Sequence, residues 1–394
     1  MGRQQAMEKK YLRGRSIEPI RLRRGMSVKD LVEVYAGMGF NARRLAESCQ
    51  VFENMLRADA TVCLTLAGAM TPIGMSGALI TLMENGWVDW VISTGANLYH
   101  DLHRAFDFPM RQGHFQVDDN ELKDAGIARI YDVFIQEGDT MIETDRAIVE
   151  AFINREFTRP VSTADVHAIL GQEVIRRAAA PQKSFVGCAA ALGVPVYVAS
   201  PGDSSVGMNL VINYLEGNRV PVDPSLDVLE TAAIVRAAKK NGALMVGGGA
   251  PKNFFMQTQP TLWQILEDNQ GGHDFFVQYT ADAPHWGGLS GATASEARSW
   301  GKVKDATINN VTAYCDASIA LPLLSAWLLA TQKPRRRRNL LAKKEAALAE
   351  LVAKYRANRA LHARIERVRR RAPQGPAKPA ARRRGCCPGA GCGA

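Results

Sequence analysis

Six short apolar segments, separated by helical stretches, constrain the fold of this chain more than any other feature. They lie within residues 61–70, 87–95, 194–202, 242–249, 273–281 and 310–318. Apolar runs of this length that are bounded by glycine or proline are typical of buried strands. Strands that alternate with helices predict parallel crossover units with helices on both faces. The expected fold is therefore α/β, a three-layer, Rossmann-like parallel sheet.

The segments outside this alternation predict an extension at each end of the chain. Residues 1–60 are expected to form an N-terminal extension that is partly helical, with its first 25 or so residues poorly ordered. Residues 61–332 are expected to form the main domain. Residues 333–394 are expected to form a basic tail that is helical or disordered.

The tail contains one segment with clear helical character. We expect a single long helix from about Asn339 to Arg371. Leu341, Leu348 and Tyr355 recur in it every seven residues. This spacing is typical either of a short coiled-coil seam or of a helix packed on the body of the protein.

The net charge of +10 is distributed unevenly along the chain. Residues 333–394 contain 19 Lys and Arg and 3 Asp and Glu, which gives this tail a net charge of +16 and the remainder −6. Any attraction to polyanions therefore belongs to the tail and not to the fold. Nucleic acid is not expected as a partner except through the tail. The side chains of the run Arg335–Arg338 are expected to be charged and exposed to solvent.

Several protein classes are excluded or disfavoured by the composition. No apolar run reaches the roughly 18 to 20 residues that a membrane helix needs, and the N-terminal residues lack the apolar stretch of a secretory signal. The expected location is cytoplasmic. Four cysteines lie in apolar or mixed segments and are expected to be reduced thiols: Cys49, Cys63, Cys188 and Cys315.

Neither of two possible ligand clusters predicts a metal site. Cys386, Cys387 and Cys392 crowd the end of the chain without a nearby histidine, which makes a poor zinc site. His100 and His103 form an HxxH pair, but no further cluster with metal-ligand spacing follows it. We therefore expect no bound metal.

The predicted strands share a feature at their carboxyl ends. Small residues follow five of them, at positions 93–96, 200–203, 247–249, 280–281 and 316–318. In open α/β sheets, ligands bind beyond the carboxyl ends of strands, where small residues let the backbone approach them closely. Five such ends predict a nucleotide-sized site, although the dinucleotide fingerprint, the P-loop and the nucleophile elbow are all absent.

The residues best placed to do chemistry form a Ser-Trp-Gly-Lys sequence at 299–302. Partial burial of Lys302 beside Trp300 would favour the uncharged amine that imine chemistry needs. Glu296, six residues earlier, could transfer protons. The spacing alone favours a different interpretation, in which Lys302 begins an exposed turn and Trp300 is anchored in the core.

This region resembles the deoxyhypusine synthase family, specifically its bacterial deoxyhypusine synthase-like branch. The resemblance extends from about Thr61 to Ala330 and is most specific at residues 290–302 and 316–318. It implies that Lys302 is catalytic. It also implies that Glu296 and Trp300 bind the amine substrate, together with Asn253, which stands where the family has a histidine.

The resemblance also implies an NAD cofactor bound at the strand ends and a homotetramer with sites at subunit interfaces. The positions implied to bind NAD are Thr71, Met75, Thr94, Gly95, Ala96, Asp203, Gly248, Thr280, Ala281, Asp316 and Ala317.

Several acidic residues of the family pattern are absent from this chain. Met208 and Leu289 stand where the family has aspartates, and Tyr99 and His100 replace a pair of glutamates. In the family such carboxylates hold the ammonium groups of spermidine or contact NAD. Their loss weakens a polycation pocket, because charge-assisted pairs in a dry site are the strong ones.

The activity implied is an NAD-dependent transfer of an aminobutyl-type group from a polyamine to an acceptor amine, through an imine on Lys302. In the family the acceptor is a protein lysine. One alternative is a homospermidine synthase-like enzyme that acts on small diamines. The other is a non-catalytic NAD-binding protein.

Overall fold

Nine strands form two separate sheets in the part of the chain that the structure describes. The computed structural model describes residues 3–305 and 307–372. The strands are β1 (Thr61–Leu66), β2 (Trp90–Ser93), β3 (Met110–Gln112), β4 (Ile127–Ile130), β5 (Val133–Gln136), β6 (Val196–Val198), β7 (Asn241–Val246), β8 (Phe275–Thr280) and β9 (Asn310–Tyr314). Six pair in the order β6-β2-β1-β7-β8-β9, and every pairing in this sheet is parallel. These are the six strands predicted from the sequence, so the α/β fold is confirmed.

Helices precede, connect and follow these strands. They are α1 (Arg3–Tyr11), α2 (Val28–Ala36), α3 (Phe40–Arg57), α4 (Ser76–Glu84), α5 (Gly95–Ala105), α6 (Asp119–Asp124), α7 (Glu143–Phe152), α8 (Thr163–Arg177), α9 (Phe185–Leu192), α10 (Ser205–Leu215), α11 (Pro224–Ala237), α12 (Gly249–Pro260), α13 (Ala294–Ser299), α14 (Ala317–Thr331), α15 (Leu340–Ala357) and α16 (Arg359–Arg371). The chain divides into two units, residues 1–352 and 353–394.

The central sheet is buried on both faces. Val62, Leu64 and Leu66 of β1 join a core that includes side chains of α3, α9 and α14. Cys63, which points the other way, joins a second core with side chains of α11 and α12. Successive residues of a strand face opposite sides of the sheet, so this alternation creates three layers. Each layer of helices contributes its own apolar core.

Local sequence signals set several helix boundaries. Ser27 caps α2 in a reciprocal arrangement with Asp30, and Ser162 caps α8 in the same way with Asp165. These residues satisfy backbone N–H groups that the first helical turn leaves unpaired. Gly193 ends α9 with a φ of 69°, where any Cβ would collide with Asn339.

Two local elements differ from the sequence-based expectation. Strands β3, β5 and β4 form a small antiparallel sheet that the apolar pattern did not predict, since most of its residues are only partly buried or exposed. At the N-terminus, Arg3–Tyr11 is helical, although this region was expected to be poorly ordered.

The single long tail helix was a wrong prediction, because the chain breaks between α15 and α16. The side chain of Asn358 accepts a hydrogen bond from the Leu361 N–H and so caps a new helix. Of the two alternatives for the first part, packing on the body is the one observed. Leu351 is buried in the core beside α11 and α12, and Leu340 and Leu348 pack against it.

The second unit contains the rest of the basic tail that the structure describes. Within it, the rings of Tyr355 and His362 lie 4.8 Å apart, and Leu361 is buried. Arg369, Arg370 and Arg371 occupy the last turn of α16, where positive charge is favoured by the helix dipole. The three C-terminal cysteines considered above lie outside the described residues.

Candidate active site

The carboxyl ends of the six parallel strands meet at one edge of the sheet, and the strand order reverses between β1 and β7. Connections from β1 lead to β2 and β6 on one side, whereas β8 and β9 follow β7 on the other. A Cβ atom on Gly247 would lie 3.1 Å from the Cβ of Ala67. The segments that follow β7 and β1 therefore leave the sheet in close contact. Ligands of open α/β sheets bind outside such a reversal.

Two helices begin in contact with each other at this edge. A Cβ atom on Gly95 would lie 2.4 Å from the Cβ of Ser204, so only glycine allows α5 and α10 to start this close together. Neither helix has a side-chain cap or an acidic residue in its first turn. Unpaired N–H groups and the positive end of the helix dipole make such termini suitable for a phosphate group.

The residues that were predicted to bind a cofactor all lie at or near this edge. Thr94, Gly95 and Ala96 follow β2, and Asp203 is exposed in the loop after β6. Gly248 follows β7, and a Cβ there would lie 2.3 Å from the Cα of Ser290. Thr280 is the last residue of β8. The remaining positions follow β1, β8 and β9: Thr71, Met75, Ala281, Asp316 and Ala317.

Two of the hydroxyl groups in this set are already bonded within the protein. The buried Thr71 donates to the backbone oxygen of Asn97 at 2.6 Å. Thr94 donates to the backbone oxygen of Gly68 at 2.6 Å and accepts from Asn97 Nδ2 at 2.8 Å. These side chains therefore shape the loops after β1 and β2, and Asn97 links the two loops.

Two more predicted cofactor positions hold the backbone in place. The Asp316 side chain caps α14 by accepting from the Ser318 N–H at 2.7 Å. Thr280 is buried, and its hydroxyl accepts a hydrogen bond from the Asp282 N–H at 3.1 Å. Both define the turns that follow β9 and β8.

Lys302 lies in a cleft with the other predicted substrate residues. Glu296 and Trp300, on and just after α13, line it, and Asn253 of α12 lies opposite in the fold. The cleft has a volume of about 420 Å³, and its other walls include Met256, Leu289, Ala292, Thr293 and Ala297. The structure thus brings Lys302, Glu296, Trp300 and Asn253 into one site.

The surroundings of Lys302 lower the pKa of its ammonium group. Partial burial lowers the pKa of Lys302, although the Glu296 carboxylate opposes this shift. Its Nζ atom lies 5.7 Å from the ring centre of Trp300. Trp300 is 62% exposed, so the expectation that it anchors the core is wrong. An exposed indole beside a half-buried amine can instead contact a substrate.

Sequence reasoning missed a second lysine in the same cleft. Lys252, on the first turn of α12, is only 4% exposed and lines the cleft beside Asn253. Its Nζ donates to Oε1 of the buried Gln278 at 3.1 Å and to the backbone oxygen of Ala292 at 2.5 Å. The GGGxxK sequence at 247–252 was the available signal, because its lysine directly follows a predicted strand end.

Gln278 is the second residue that sequence reasoning missed. It is fully buried in β8, and its Nε2 donates to the backbone oxygens of Gly247 and Ser290 at 2.9 and 2.7 Å. This amide therefore connects the loop after β7, the loop before α13 and the Lys252 side chain. The apolar pattern of β8 hid it, since nothing marks one polar residue in a buried strand as part of a site.

The residues that replace family carboxylates occupy different environments. Leu289 lines the Lys302 cleft, whereas Met208 is 66% exposed on α10. Tyr99 is buried on α5, and His100 Nδ1 is hydrogen-bonded to Nε2 of His103 at 3.0 Å. Burial lowers the pKa of His100 to about 4, so this ring is uncharged at neutral pH.

Another cavity, with a larger volume of about 1050 Å³, adjoins the start of α10, where Gly202 and Ser204 line it. Its walls are mainly apolar and come from α8, α10 and the segments that follow them, and they include His167, Leu210, Tyr214 and Arg219. None of the predicted site residues lines it. The described residues contain no group of three or more His, Cys, Asp and Glu that could hold a metal ion.

Comparison with known proteins identifies the family. The family model described as deoxyhypusine synthase matches residues 30–328, which is most of the chain. The chain belongs to the deoxyhypusine synthase family. A "Deoxyhypusine synthase-like protein" of Nostoc punctiforme is 42% identical over 352 residues, covering 87% of this chain and 90% of the relative. A "Probable deoxyhypusine synthase 2" of Methanosarcina mazei is 40% identical over 300 residues, covering 76% of this chain and 86% of the relative.

A solved structure shows a similar fold. A "putative deoxyhypusine synthase" from Entamoeba histolytica superposes with a TM-score of 0.51 at 16% identity, covering 79% of this chain and 96% of that chain. The resemblance inferred from the sequence is therefore confirmed, both for the family and for its deoxyhypusine synthase-like branch. In the described residues, no helix is long and apolar enough to cross a membrane.

Proposed function

We propose that this chain is an NAD-dependent transferase that moves an aminoalkyl group from one amine to another through an imine on Lys302. The observation that carries the proposal is the half-buried Lys302 amine, which lines a cleft beside α12 together with Glu296 and Trp300. Membership of the deoxyhypusine synthase family supports this chemistry. The class of enzyme proposed is an alkyl transferase.

The carboxyl edge of the sheet fits an NAD cofactor. The uncapped starts of α5 and α10, which meet at Gly95 and Ser204, would hold the pyrophosphate. Small residues that follow β7, β8 and β9 leave room for the backbone to approach the rest of the cofactor. When bound, NAD would accept hydride from the carbon that bears the donor amine and return it at the end of the cycle.

The side chains of the cleft have separate roles in this scheme. Lys302 in its uncharged form would attack the imine carbon of the oxidised donor, and the C–N bond to the rest of the donor would break, so that this part leaves as a free amine. The acceptor amine would then attack the same carbon and displace Lys302. Glu296 lies near enough to raise the pKa of Lys302 and is placed to exchange protons with the amines. Trp300 offers an aromatic face that attracts an ammonium group and excludes water.

The cleft favours a small diamine over a triamine as substrate. Among the residues that line it, Glu296 is the one carboxylate, and the apolar Leu289 stands where the family has an aspartate. A polyamine with three ammonium groups would leave charge unpaired there. In the first candidate function, the aminoalkyl group is transferred to a protein lysine. Because of this single carboxylate, we propose homospermidine-type chemistry on small diamines as the second candidate function.

A homotetramer remains part of the proposal. Helix α10 supports it, because several of its large apolar side chains are more than 40% exposed: Met208, Val211, Ile212, Tyr214 and Leu215. An apolar helix face of this kind is typical of an interface between subunits. Light scattering of the purified protein measures the assembly directly.

The deciding experiment follows the imine. Purified protein is incubated with NAD⁺ and a panel of diamines and polyamines, NADH absorbance is recorded, and imines are reduced with borohydride and located by mass spectrometry. We expect an NAD⁺-dependent adduct on Lys302 that is absent from Lys302→Ala. Lys304→Ala is the matched control, because Lys304 lies two residues away and pairs with Asp274 on the surface.

Other outcomes would contradict the proposal in different ways. NADH formation without an adduct would indicate an amine dehydrogenase that lacks the covalent step. Neither NADH nor adduct with any amine, together with measurable NAD binding, would favour the non-catalytic NAD-binding protein. If the Lys302 adduct does form, relative kcat/KM values for diamines and triamines would separate the two candidate activities.

A further inference from the structure

Helix α16 carries a high density of positive charge. The unit that contains it, residues 353–394, has 12 Lys and Arg and a single acid, Glu366, whereas residues 1–332 carry a net charge of −6. Within α16 itself the Lys and Arg positions are all arginine, and all of these side chains are exposed: Arg359, Arg364, Arg367, Arg369, Arg370 and Arg371. The charge is therefore available to a partner.

The geometry of the helix gathers much of this charge on one face. An α-helix turns by about 100° per residue. Four arginines therefore lie within an arc of about 120°, which we name the arginine face: Arg359, Arg367, Arg370 and Arg371. The large apolar residues of the helix lie on the opposite side: Leu361, Ile365 and Val368. With 13 residues, the helix extends over roughly 20 Å.

The stability of the helix does not account for this arrangement. Arg367 is followed by Arg370 and Arg371 at three and four residues, and like charges at these spacings destabilise a helix. Arg359 lies in the first turn, which contains no acidic residue and where the helix dipole disfavours a cation. Glu366 lies 2.6 Å from Arg369, which is outside the arginine face. The repulsion on that face is relieved when it meets a polyanion.

The side chains of α16 favour phosphate groups of a nucleic acid over a lipid surface. Helices that lie on membranes gain affinity from the apolar area that they insert. In α16, Leu361 is buried within the protein, which leaves Val368, 61% exposed, as the one large apolar side chain that is fully available. Arginine, in contrast, presents a planar group that can bind a phosphate through two parallel hydrogen bonds.

The same helix favours a double-stranded over a single-stranded partner. Proteins that bind single strands stack the bases on aromatic side chains. There is no Phe, Tyr or Trp in α16, and the nearby Tyr355 ring packs against the ring of His362. An α-helix with its side chains is about 10–12 Å wide, and the major groove of B-form DNA, about 12 Å wide, admits it. The major groove of an RNA duplex is narrow and deep.

We propose that α16 binds the phosphate backbone of double-stranded DNA through its arginine face. The binding is independent of base sequence, because contacts with phosphates carry no sequence information. The role goes beyond the proposed transferase activity and does not depend on it. It assigns to the tail the attraction to polyanions that the body, with its net charge of −6, does not provide.

The test measures binding of the full chain to a fluorescent DNA duplex of about 20 base pairs by anisotropy, at several salt concentrations. Four phosphate contacts predict that log K falls against log salt with a slope of about −3.6. Substitution of the whole arginine face by glutamine, which also favours helices, should weaken binding at least about tenfold near 100 mM salt and bring the slope towards zero. This variant contains R359Q, R367Q, R370Q and R371Q.

A matched control removes the same amount of charge elsewhere. Four exposed arginines outside the tail are replaced by glutamine: R13Q, R43Q, R111Q and R146Q. This variant should bind DNA within about threefold of the wild type, since phosphate contacts and not total charge determine the affinity. An equal loss in the two variants would contradict the proposal.

Two truncated chains test the role of α16 even if the arginine-face variant does not fold. A chain that ends at residue 372 keeps α16 and should bind the duplex. A chain that ends at residue 352 lacks α16 but keeps the buried contacts of Arg335 and Lys344, and it should not bind. Similar affinity of the two chains would overturn the proposal.

Three other ligands distinguish the proposed partner from its alternatives. They are a single strand of the same length, an RNA duplex, and vesicles of phosphatidylglycerol and phosphatidylcholine. We expect each to bind more weakly than the DNA duplex. A single strand or an RNA duplex that binds as tightly as the DNA duplex would reject the proposed fit to its groove. Binding to the vesicles without binding to DNA would make the tail a membrane-surface element instead.

Discussion

Arg335 donates a hydrogen bond of 2.8 Å to Oδ2 of Asp89, a carboxylate that is almost fully buried. The same guanidinium donates to the backbone oxygen of Ala60 at 2.8 Å, and Arg338 also contacts Asp89. Asp89 in turn accepts from the Val62 N–H. Arg335 and Arg338 therefore fasten the start of β1 to the start of β2, so the expectation of solvated charge is wrong for these two residues, whereas Arg336 and Arg337 are exposed.

Removing Arg335 should destabilise the protein strongly. Burial raises the pKa of Asp89, and Arg335 and Arg338 oppose that shift. Loss of one partner of a buried pair costs roughly 3–5 kcal/mol, because the remaining charge stays buried. Urea unfolding of Arg335→Ala measures the loss. Arg336→Ala, at an exposed neighbouring position, should change the free energy of unfolding by less than about 0.5 kcal/mol. Equal effects of the two substitutions would contradict this assignment.

The buried contacts of Lys344 predict how much of the tail can be removed without unfolding the protein. Its Nζ, on α15, lies 2.6 Å from Glu230 and 3.0 Å from Asp165, and the Lys344 side chain is only 6% exposed. A chain that ends at residue 352 keeps this contact and that of Arg335, so it should remain soluble and folded. A chain that ends at residue 334 loses both and leaves Asp89 and Glu230 buried without their cations.

Soluble yield and thermal unfolding of the two truncated chains check this prediction. We expect the chain ending at residue 352 to unfold within a few degrees of the full chain, and the shorter one to aggregate or to unfold far below it. Similar stability of the two would show that α15 is dispensable. Transfer activity of the chain that ends at residue 352 shows whether residues 353–394 contribute to the reaction.

Asp227 should make the folded protein less stable as the pH rises towards neutrality. Burial raises the pKa of this carboxyl to about 7, although it accepts hydrogen bonds from the Thr163 N–H and hydroxyl. The folded state therefore holds a proton that the unfolded state releases near pH 4. The contribution of Asp227 to stability is greatest below that pH and falls between about pH 4 and pH 7, by at most roughly 4 kcal/mol.

The comparison with Asp227→Asn isolates this effect. The amide does not titrate, so its free energy of unfolding should vary less than that of the wild type between about pH 5 and pH 7. Chemical unfolding at several pH values gives the two curves. Curves that run parallel would contradict a raised pKa in the folded state.

Leu289 should limit the use of triamines. Its side chain lines the Lys302 cleft where the family has an aspartate, so Leu289→Asp would add a second carboxylate beside Glu296. A charge-assisted hydrogen bond to a further ammonium group contributes about 1.5–3 kcal/mol. We expect kcat/KM for a triamine, relative to a diamine, to rise at least about tenfold. Leu289→Asn introduces a side chain with the shape of aspartate but without its charge, so it should not produce this rise.

The strands of the central sheet and the core of the candidate site could be predicted from the sequence, because both depend on local patterns. Runs such as 61–66 and 275–280 are mainly apolar, and the small residues at and after their ends mark their carboxyl ends. Glu296, Trp300 and Lys302 lie within seven residues, so one short helix and turn, α13 and its end, bring them together. Their roles in catalysis remain predictions.

The small antiparallel sheet and the division of the tail helix could not be predicted. Strands β3, β4 and β5 are short and mostly partly buried or exposed, so they lack the strong alternation that identifies a strand. The break before α16 depends on Asn358 as a cap, and an asparagine within a helical pattern does not identify such a break.

The order of residues along the chain determined which segments are strands and where a ligand site could form, because periodicity and small residues act over short distances. Only the tertiary structure decided which charges are buried together. Lys252 is fifty residues from Lys302 and reaches its cleft because α12 follows β7, which pairs with β8 and places Gln278 beneath the lysine. Arg335 reaches Asp89 across 246 residues. The energy of such pairs depends on burial and distance in three dimensions, and neither is encoded in the local pattern.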